Sequence, residues 1–583
     1  MAITEQPGSG AIVIPEAVAD RGHDAIADVD AAVAAVAARK DAWAALPIPD
    51  RRRLLDQMVR DTMTVAEEWA AAGGLAKGLS PGTPAWGEEF AFGPMQVVRN
   101  LRLLDRTLAS IEREGHVELP GKPRVAFDGR IEVPVFPTDV IDRIAYAGHQ
   151  GMVRLQEQVT DPAQVRAGVA YERPHQGRVA LVLGAGNASS LGPADVFTKL
   201  FAEHQVCVLK INPVNAEVGP YLETAMQVLV REGFLRIVYG GVEIGQHLVD
   251  HPDIDTVHMT ASDKTYEAVV FGPGEEGAER KRDRRPRTTK EVTAELGAVS
   301  PVIVVPGPWS ADDLAYQGKQ LASMLTSNAG FTCGCPRVLV THRAWNRRRD
   351  LLDALRGELS QVPHREAYYP GARQRWEVFT DAHPEAELYG PMGEDQVPYT
   401  LLADLDPERR DDVAFRVEAF NTTIAETGLD APRDAAAFVD QAVDWANETL
   451  WGTLAATILV HPRSLKDPHV ADAIDRAVAN LRYGTVGVNV WALTAYGLAS
   501  LPWGGYPGSP AHDIQSGIGW VRNTYLLEDV EKSVLRAPWR LGKKPPMSYD
   551  FATFDTVAQR MLHLEATRDW RHLPGIIADG MRA

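Results

Sequence analysis

Between residues 24 and 72 apolar side chains recur every three to four positions, in VDAAVAAVAARKDAWAAL and again in RRRLLDQMVRDTMTVAEEWAAA, with Leu46-Pro47-Ile48-Pro49 between them. That spacing lines one face of a helix, and the prolines divide it into two helices. From residue 177 the rhythm changes. GRVALVLGAG, QVCVLKIN, LRIVYGG and IDTVHMTAS are short apolar runs, separated by stretches of helical period such as DVFTKLFAEH, GPYLETAMQVLVREG and VEIGQHLVDHP. Strands alternating with helices of this length predict a parallel sheet covered on both faces. A second alternation starts near 301 with PVIVVPG, DDLAYQGKQLASMLTSNAG, RVLVTH and RRRDLLDALRGELSQV. The stretch 360–435, rich in Pro, Asp and Glu, shows no clear period, and helix, strand and helix return over 436–480. NTYLLEDVEKSVLRAPW alternates in part, as a sheet-edge strand does, and Phe554, Val557, Met561 and Leu564 fall at helical spacing, predicting a docked C-terminal helix. No repeat with a period of about 20–50 residues is present.

Composition narrows the class without naming a function. The 583 residues carry 60 basic and 78 acidic side chains, a net charge of −18, with 45% hydrophobic and 24% charged residues. This is globular composition, and the length allows more than one domain with its own core. The acidic excess repels phosphate backbones, so nucleic acid is not an expected partner. Three cysteines, Cys207, Cys333 and Cys335, are too few for a disulfide framework and fit a reducing compartment, so a cytoplasmic location is expected. The amino terminus, MAITEQPGSGAIVIPEAVADRG, has no basic start followed by an apolar run, and no apolar stretch is long enough to span a membrane.

Three segments carry candidate chemistry. GRVALVLGAGNASSLG places Gly184 and Gly186 directly after an apolar strand, as a dinucleotide-binding turn does, but Ser189 stands where a third glycine belongs and the next strand ends in Lys210 rather than an acid. A plain strand-to-helix turn has the same form. In SNAGFTCGCPRVLVTH, Cys333 follows a helix and a Gly-containing loop; an ionised thiol there is the strongest nucleophile among side chains, whereas a buried one packs as a small hydrophobe. Cys335 beside it, without two further ligands, does not make a zinc site, and no metal is expected. In TKEVTAELGAVSP, Glu295 ends an alternating run just before the second α/β unit, the place for a general base or for a solvated strand terminus.

Taken together and in order, these segments resemble the aldehyde dehydrogenase superfamily over about residues 24–540. Asn187 falls at the Asn of the family's Pro-Trp-Asn-Phe, Lys210 at the Lys of Lys-Pro-Ser-Glu, and Ser262 in HPDIDTVHMTAS at the Ser of Phe-Thr-Gly-Ser. AELGAVSP matches Glu-Leu-Gly-Gly-Lys-Ser-Pro at Glu295, SNAGFTC matches Asn-x-Gly-Gln-x-Cys at Cys333, and RVEAFNTTIAET matches the Glu-x-Phe-Gly-Pro segment at Glu418. YGTVGVNVW and PWGGYPGS resemble the closing elements. The resemblance implies an α/β fold of two doubly wound domains plus a small oligomerisation arm. Residues 1–157 and 177–297 would form the dinucleotide-binding domain, 298–520 the catalytic domain, 158–176 and 521–540 the arm, and 541–583 a C-terminal extension. It further implies a homodimer or homotetramer in which 526–540 pairs with a neighbouring subunit's sheet, assisted by a hairpin near 158–176.

The resemblance also implies roles. Thiolate Cys333 would attack an aldehyde carbonyl, the Asn187 amide and the Cys333 N–H would face the oxyanion, and Glu295 would activate the water that releases a carboxylic acid from the thioester. Lys210, Ser262, Glu418, Gly245 and Asn212 would hold NAD or NADP. Several positions depart from the family: Ala185-Gly186 replaces Pro-Trp, Pro213 stands where a ribose-binding Glu is common, Val196 replaces a second lysine, Ala261 replaces the Gly of Thr-Gly-Ser, and Phe331 replaces the Gln near the nucleophile. Without a Glu at 213 one barrier to a 2′-phosphate is gone, so NAD and NADP both stay open. Trp491, Trp503 and Trp520 gather toward the C-terminus and would suit a hydrophobic aldehyde, although such residues are more often core. The basic run ERKRDRRPRTTK extends the segment between Ser262 and Glu295 and reads as a solvated loop. Two rival functions follow from the same residues: a CoA-acylating aldehyde dehydrogenase, against which the presence of Glu295 argues, and a non-catalytic binding protein with the same fold.

Overall fold

Valine, leucine and isoleucine runs such as Val179–Val182 are buried on both faces, which only a parallel sheet sandwiched by helices allows. The computed structural model of the chain describes residues 23–393 and 395–582. Residues 1–22, where a leader was sought in the sequence, lie outside the described residues.

A six-stranded sheet contains β4 (Arg178–Leu183), β5 (Gln205–Lys210), β6 (Leu235–Val238), β7 (Thr256–Ala261), β8 (Glu291–Leu296) and the short β16 (Gly517–Ile518). Its order is β16-β8-β7-β4-β5-β6, and β4 to β8 are all parallel. Chain order runs outward in both directions from β4, so the switch point lies between β4 and β7, where ligands of open α/β sheets bind beyond the carboxyl ends of the strands. The helices Ile26–Ala37 and Ile48–Ala76 pack on this sheet, with Val29, Val33, Trp43 and Met58 in its core.

The larger sheet has eleven strands: β1 (Arg124–Val125), β2 (Ile131–Phe136), β3 (Gln150–Leu155), β9 (Ser300–Val304), β10 (Pro336–His342), β11 (Glu387–Tyr389), β12 (Tyr399–Leu405), β13 (Thr423–Leu429), β14 (Ala455–Leu459), β15 (Thr485–Val488) and β17 (Val530–Arg536). They lie in the order β1-β2-β3-β17-β15-β14-β9-β10-β13-β12-β11. The stretch 360–435, without a legible period in the sequence, supplies the helix Ala372–Ala382 and strands β11, β12 and β13. β12 and β13 are buried almost throughout and so carry no alternation.

The arm differs from its expected form. β17 does not reach toward another subunit: it pairs antiparallel with β3 and parallel with β15 of its own chain, Thr485 opposite Ser533 and Gly487 opposite Leu535. Buried Lys532 donates from Nζ to the carbonyls of Val478, Ala479 and Leu481, closing the end of the helix Pro468–Asn480. Residues 158–176 form no hairpin but two 3₁₀ turns, Pro162–Gln164 and Val169–Tyr171, the first closed by a capping box from Asp161 and Gln164. The arm's hairpin is β2–β3.

The C-terminal helix Phe554–Thr567 docks as its spacing predicts, placing Phe554, Ala558 and Leu562 against Trp86, Phe90 and Val98. Glu565 is fully buried and paired with Arg99 (2.5 Å) and Arg102 (2.6 Å), and Arg99 also pairs with Asp142 (2.9 Å) in the arm. The basic run begins in the last turn of the helix Gly274–Arg282, where Arg280 and Lys281 pair with Glu276 and Glu267, and continues as turn and loop. No helix among the described residues is long and apolar enough to cross a membrane.

Candidate active site

The carboxyl edge of the small sheet faces the amino edge of the parallel part of the large one. Glu295 is the last residue but one of β8, and Gly297, Ala298 and Val299 carry the chain directly into β9. Cys333 lies on the loop ahead of β10 and Glu418 ahead of β13, and these two strands are paired parallel neighbours. Three residues separated by as much as 123 positions are thereby drawn to one place.

The Cys333 thiol lies beside the Glu295 carboxyl, and its own backbone N–H faces the sulfur. Burial, followed by the nearby Glu295 and Glu418 charges, pushes the thiol well above its ordinary range. Burial also lifts Glu295 to about 7, against the hydrogen bond it accepts from Trp503. Trp503 Nε1 donates to Glu295 Oε1 at 3.1 Å, while Oε2 has no partner. Resting Cys333 is therefore a thiol, with the Glu295 carboxyl next to it. All three cysteines are free.

The loop that presents Cys333 is held in an unusual conformation. Asn328, Ala329 and Gly330 have φ of 49°, 52° and 77°, three successive left-handed residues. Two of them carry a Cβ, so the turn is strained and must be held from outside. Asn328 Nδ2 donates to Asn187 O (2.8 Å) and Phe331 O (3.0 Å), and its backbone N–H donates to Glu88 (2.9 Å). Arg337 donates to the carbonyls of Gly330 and Asn421. Asn187, on the turn after β4, donates from Nδ2 to Phe331 O at 2.9 Å, which sets its amide against the nucleophile loop with a second hydrogen uncommitted. Behind both stands buried Lys77, donating to Glu89 (2.7 Å), Asn328 Oδ1 (3.1 Å) and Asn187 O (3.4 Å), with Tyr368 OH on Asn187 O (3.1 Å). Lys77, Glu88, Glu89 and Tyr368 carry no motif and went unread in the sequence; a lysine amid helix glycines, in AAAGGLAKG, was the sole hint.

Phe331 packs edge-on to Tyr368 (5.0 Å between ring centroids) and against Tyr369 and Phe420. Trp491 donates to Gly334 O at 2.7 Å, so two of the three tryptophans noted in the sequence, Trp491 and Trp503, brace the nucleophile and the carboxylate; Trp520 lies apart, beside Arg522 in a separate cavity.

The residues assigned to a dinucleotide line the same sheet edge. Lys210 ends β5 and is buried. Asn212 caps the following 3₁₀ turn, accepting from Val214 N, and packs so close to Gly186 that a Cβ there would lie 2.7 Å from its Oδ1. Ser262 caps the helix Asp263–Val270. Gly245 sits in the helix Val242–Asp250 with open space where a Cβ would be. Glu418 packs against Gly297; burial raises its carboxyl to about 8, and its Oε1 is buried without a partner. Among the described residues no group of three or more His, Cys, Asp or Glu is arranged to hold a metal ion.

A cysteine and a carboxylate thus come together where the edges of the two α/β layers meet. Comparison with known proteins is specific. Residues 138–367 match the model of the aldehyde dehydrogenase family. N-succinylglutamate 5-semialdehyde dehydrogenase of Erwinia tasmaniensis is 28% identical over 284 residues, 48% of this chain and 51% of that protein. The 4-trimethylaminobutyraldehyde dehydrogenase of Homo sapiens is 25% identical over 369 residues, 59% of this chain and 64% of that protein. The match spans about half the length of the first two curated relatives. Among solved structures, aldehyde dehydrogenase C of Pseudomonas syringae, complexed with NAD+ and octanal, aligns with a TM-score of 0.58 at 19% identity, over 89% of this chain and 90% of that one. Glyceraldehyde-3-phosphate dehydrogenase of Methanocaldococcus jannaschii, complexed with NADP, aligns with a TM-score of 0.59 at 15% identity, over 89% and 96%. The chain is thus similar to the aldehyde dehydrogenase family over residues 138–367, and it shares the fold of aldehyde dehydrogenases of solved structure.

Proposed function

We propose that this protein oxidises an aldehyde to its carboxylic acid with NAD or NADP, through a thioester on Cys333. The observation that carries the reading is the buried Cys333 thiol standing beside the Glu295 carboxyl, a nucleophile next to its base. Glu295 takes the thiol proton as sulfur adds to the carbonyl carbon. The developing oxyanion is met by the free hydrogen of the Asn187 amide and the Cys333 N–H, both held by the Lys77 and Asn328 network. Bound nicotinamide supplies the hydride acceptor. Glu295, once emptied, activates the water that releases the acid.

The donor set fits a dinucleotide. The unpartnered Glu418 Oε1 suits a ribose hydroxyl, Ser262 stands at a helix N-terminus suited to a pyrophosphate, and Lys210, Asn212 and Gly245 line the same edge. Pro213 brings no carboxylate to repel a 2′-phosphate, so the reading covers both nucleotides, as do the NAD+ and NADP complexes of the structural neighbours. Three free thiols fit a reducing compartment such as the cytoplasm. A homodimer or homotetramer would have to form without strand exchange, since β17 is paired on both sides within the chain.

The test is a panel of aldehydes with each nucleotide, following the absorbance of reduced nicotinamide. Cys333→Ala should abolish turnover, and Glu295→Gln should slow acid release by about 10²-fold or more. A first turnover that repeats only after CoA is added would favour acyl transfer to CoA instead. Melting midpoints unchanged by millimolar NAD and NADP, with no turnover, would leave a binding protein without dehydrogenase activity.

A further inference from the structure

Away from Cys333, a cavity of about 200 Å³ lies between the helix Pro94–Glu114, the helical stretch that begins Leu191–Phe197 and the loop 520–524. Asn100, Leu104, Phe197 and Arg522 line it as buried residues, while Thr198, Glu203 and Trp520 are half-buried at its wall. The backbone around it is unusual. The helix continues past Phe197 as a π turn, Thr198–Ala202, closed by the Glu203 N–H on Thr198 O at 3.1 Å, and Arg522 is left-handed at φ 59°. Conformations of this kind persist where the surrounding structure holds them, often at functional sites. Backbone shape assigns no ligand; two side chains do.

Asn100 is 3% exposed, and its amide has no hydrogen-bond partner among the described residues. An unpaired buried amide is destabilising, and a leucine of similar size would pack there without that cost. Arg522, 1% exposed, enters no ion pair among the described residues. It donates from Nη1 to Gln96 O (3.0 Å) and from Nη2 to Gln96 Oε1 (2.7 Å) and covers the Tyr496 ring at 4.2 Å, and its Nε has no partner. A buried cation without a counter-ion is costly, and its field favours an anion beside it. The carboxylate at the wall does not meet that need. Lys199 Nζ already donates to both oxygens of Glu203 at 2.8 Å, and Gln205 Nε2 donates to one of them at 2.9 Å. The cavity therefore presents one uncompensated positive charge and a free amide N–H beside the apolar surfaces of Leu104, Phe197 and Trp520.

We propose that this cavity is a second binding site, separate from the nucleophile, for a small monocarboxylate with an apolar body, of the size of benzoate. The carboxylate accepts from Asn100 Nδ2 and lies in the field of Arg522, as the counter-ion that the chain itself does not supply. The hydrocarbon part lies against Leu104, Phe197 and Trp520. No bond forms or breaks in this step. The acid released by the proposed reaction belongs to the same chemical class, but the site stands on its own groups and does not rest on the reading of Cys333 and Glu295.

The test is calorimetric titration of the intact protein with benzoate, and with benzamide as its uncharged counterpart. Benzoate should bind saturably, and benzamide about tenfold or more weaker. Asn100→Leu keeps the volume and removes the amide: benzoate affinity should fall about tenfold or more, while the variant without ligand should melt no lower than the parent. Benzoate bound at full strength by Asn100→Leu, benzamide bound as tightly as benzoate, or no saturable binding by the parent at millimolar benzoate each overturns the proposal. If Asn100→Leu melts lower or fails to fold, Ala202→Phe, on the half-buried wall, decides: a ring there fills the cavity, so lost binding supports the site and unaltered binding overturns it. Cys333→Ala should bind benzoate as the parent does, and binding lost with the thiol would place the acid at the nucleophile and overturn a second site. A protein that oxidises no aldehyde should give the same titration, so the two readings fail separately.

Discussion

Glu295 and Glu418 meet the same solvent-poor cavity with different consequences. Glu295, lifted to about 7, changes state at neutral pH while the Trp503 indole N–H holds it beside Cys333. Since only the ionised form accepts a proton, the rate of acylation should rise with pH through a midpoint near 7, and Glu295→Gln should flatten that limb. Glu418, lifted to about 8 from an ordinary 4.5, bears on stability. Between those values the folded chain keeps a proton that the unfolded chain has released, so the associated stability is fully present below about 4.5 and is lost as pH rises through about 8. Without nucleotide, Glu418→Gln should melt higher than the parent above about pH 8, by roughly 1–2 kcal/mol, and the difference should vanish near about pH 5; at the same time it should weaken nucleotide binding. A melting curve at each pH, with and without nucleotide, checks both.

At the scale of elements, the site depends on a turn that its own residues do not favour. Ala329 at φ 52° would be relieved by glycine, and Ala329→Gly should be neutral or stabilising by up to about 1 kcal/mol. Gly330 is different: at φ 77° a Cβ would also collide with the Asn421 carbonyl, so Gly330→Ala should displace the loop and cut the acylation burst at least about tenfold while the fold survives. Lys77→Met tests the external brace. It leaves Glu89 buried without its cation and releases Asn187 and Asn328, so both stability and burst rate should fall.

For the whole molecule, the arm, the helix Pro94–Glu114 and the C-terminal helix Phe554–Thr567 meet at Arg99, a fully buried guanidinium held by Asp142, Glu565 and the Leu498 carbonyl. Burial alone would favour losing that charge, but the two carboxylates hold it well above its ordinary range. Removing one partner strands the cation: Glu565→Ala should cost about 3–5 kcal/mol. Truncation after residue 540 removes Glu565 and uncovers Trp86, Phe90 and Val98, so that protein should melt lower and bind hydrophobic dyes. Chemical denaturation of both variants beside the parent is the measurement.

Much of this was legible along the chain. The apolar runs of β4, β5, β9 and β10 announced two parallel sheets, because a strand buried on both faces has no room for polar residues, and Cys333, Glu295, Asn187 and Glu418 were singled out by the resemblance of short ordered motifs to a known family. The helical spacing of 554–564 announced a docked extension. What the extension binds, and where β17 pairs, only the tertiary structure decided, since an alternating strand carries no mark of the neighbour it will take. The same holds for Lys77, Asp195 and His258. Each is an ordinary polar residue in its own segment, and burial against groups more than sixty positions away, which no local pattern encodes, is what gives it a partner.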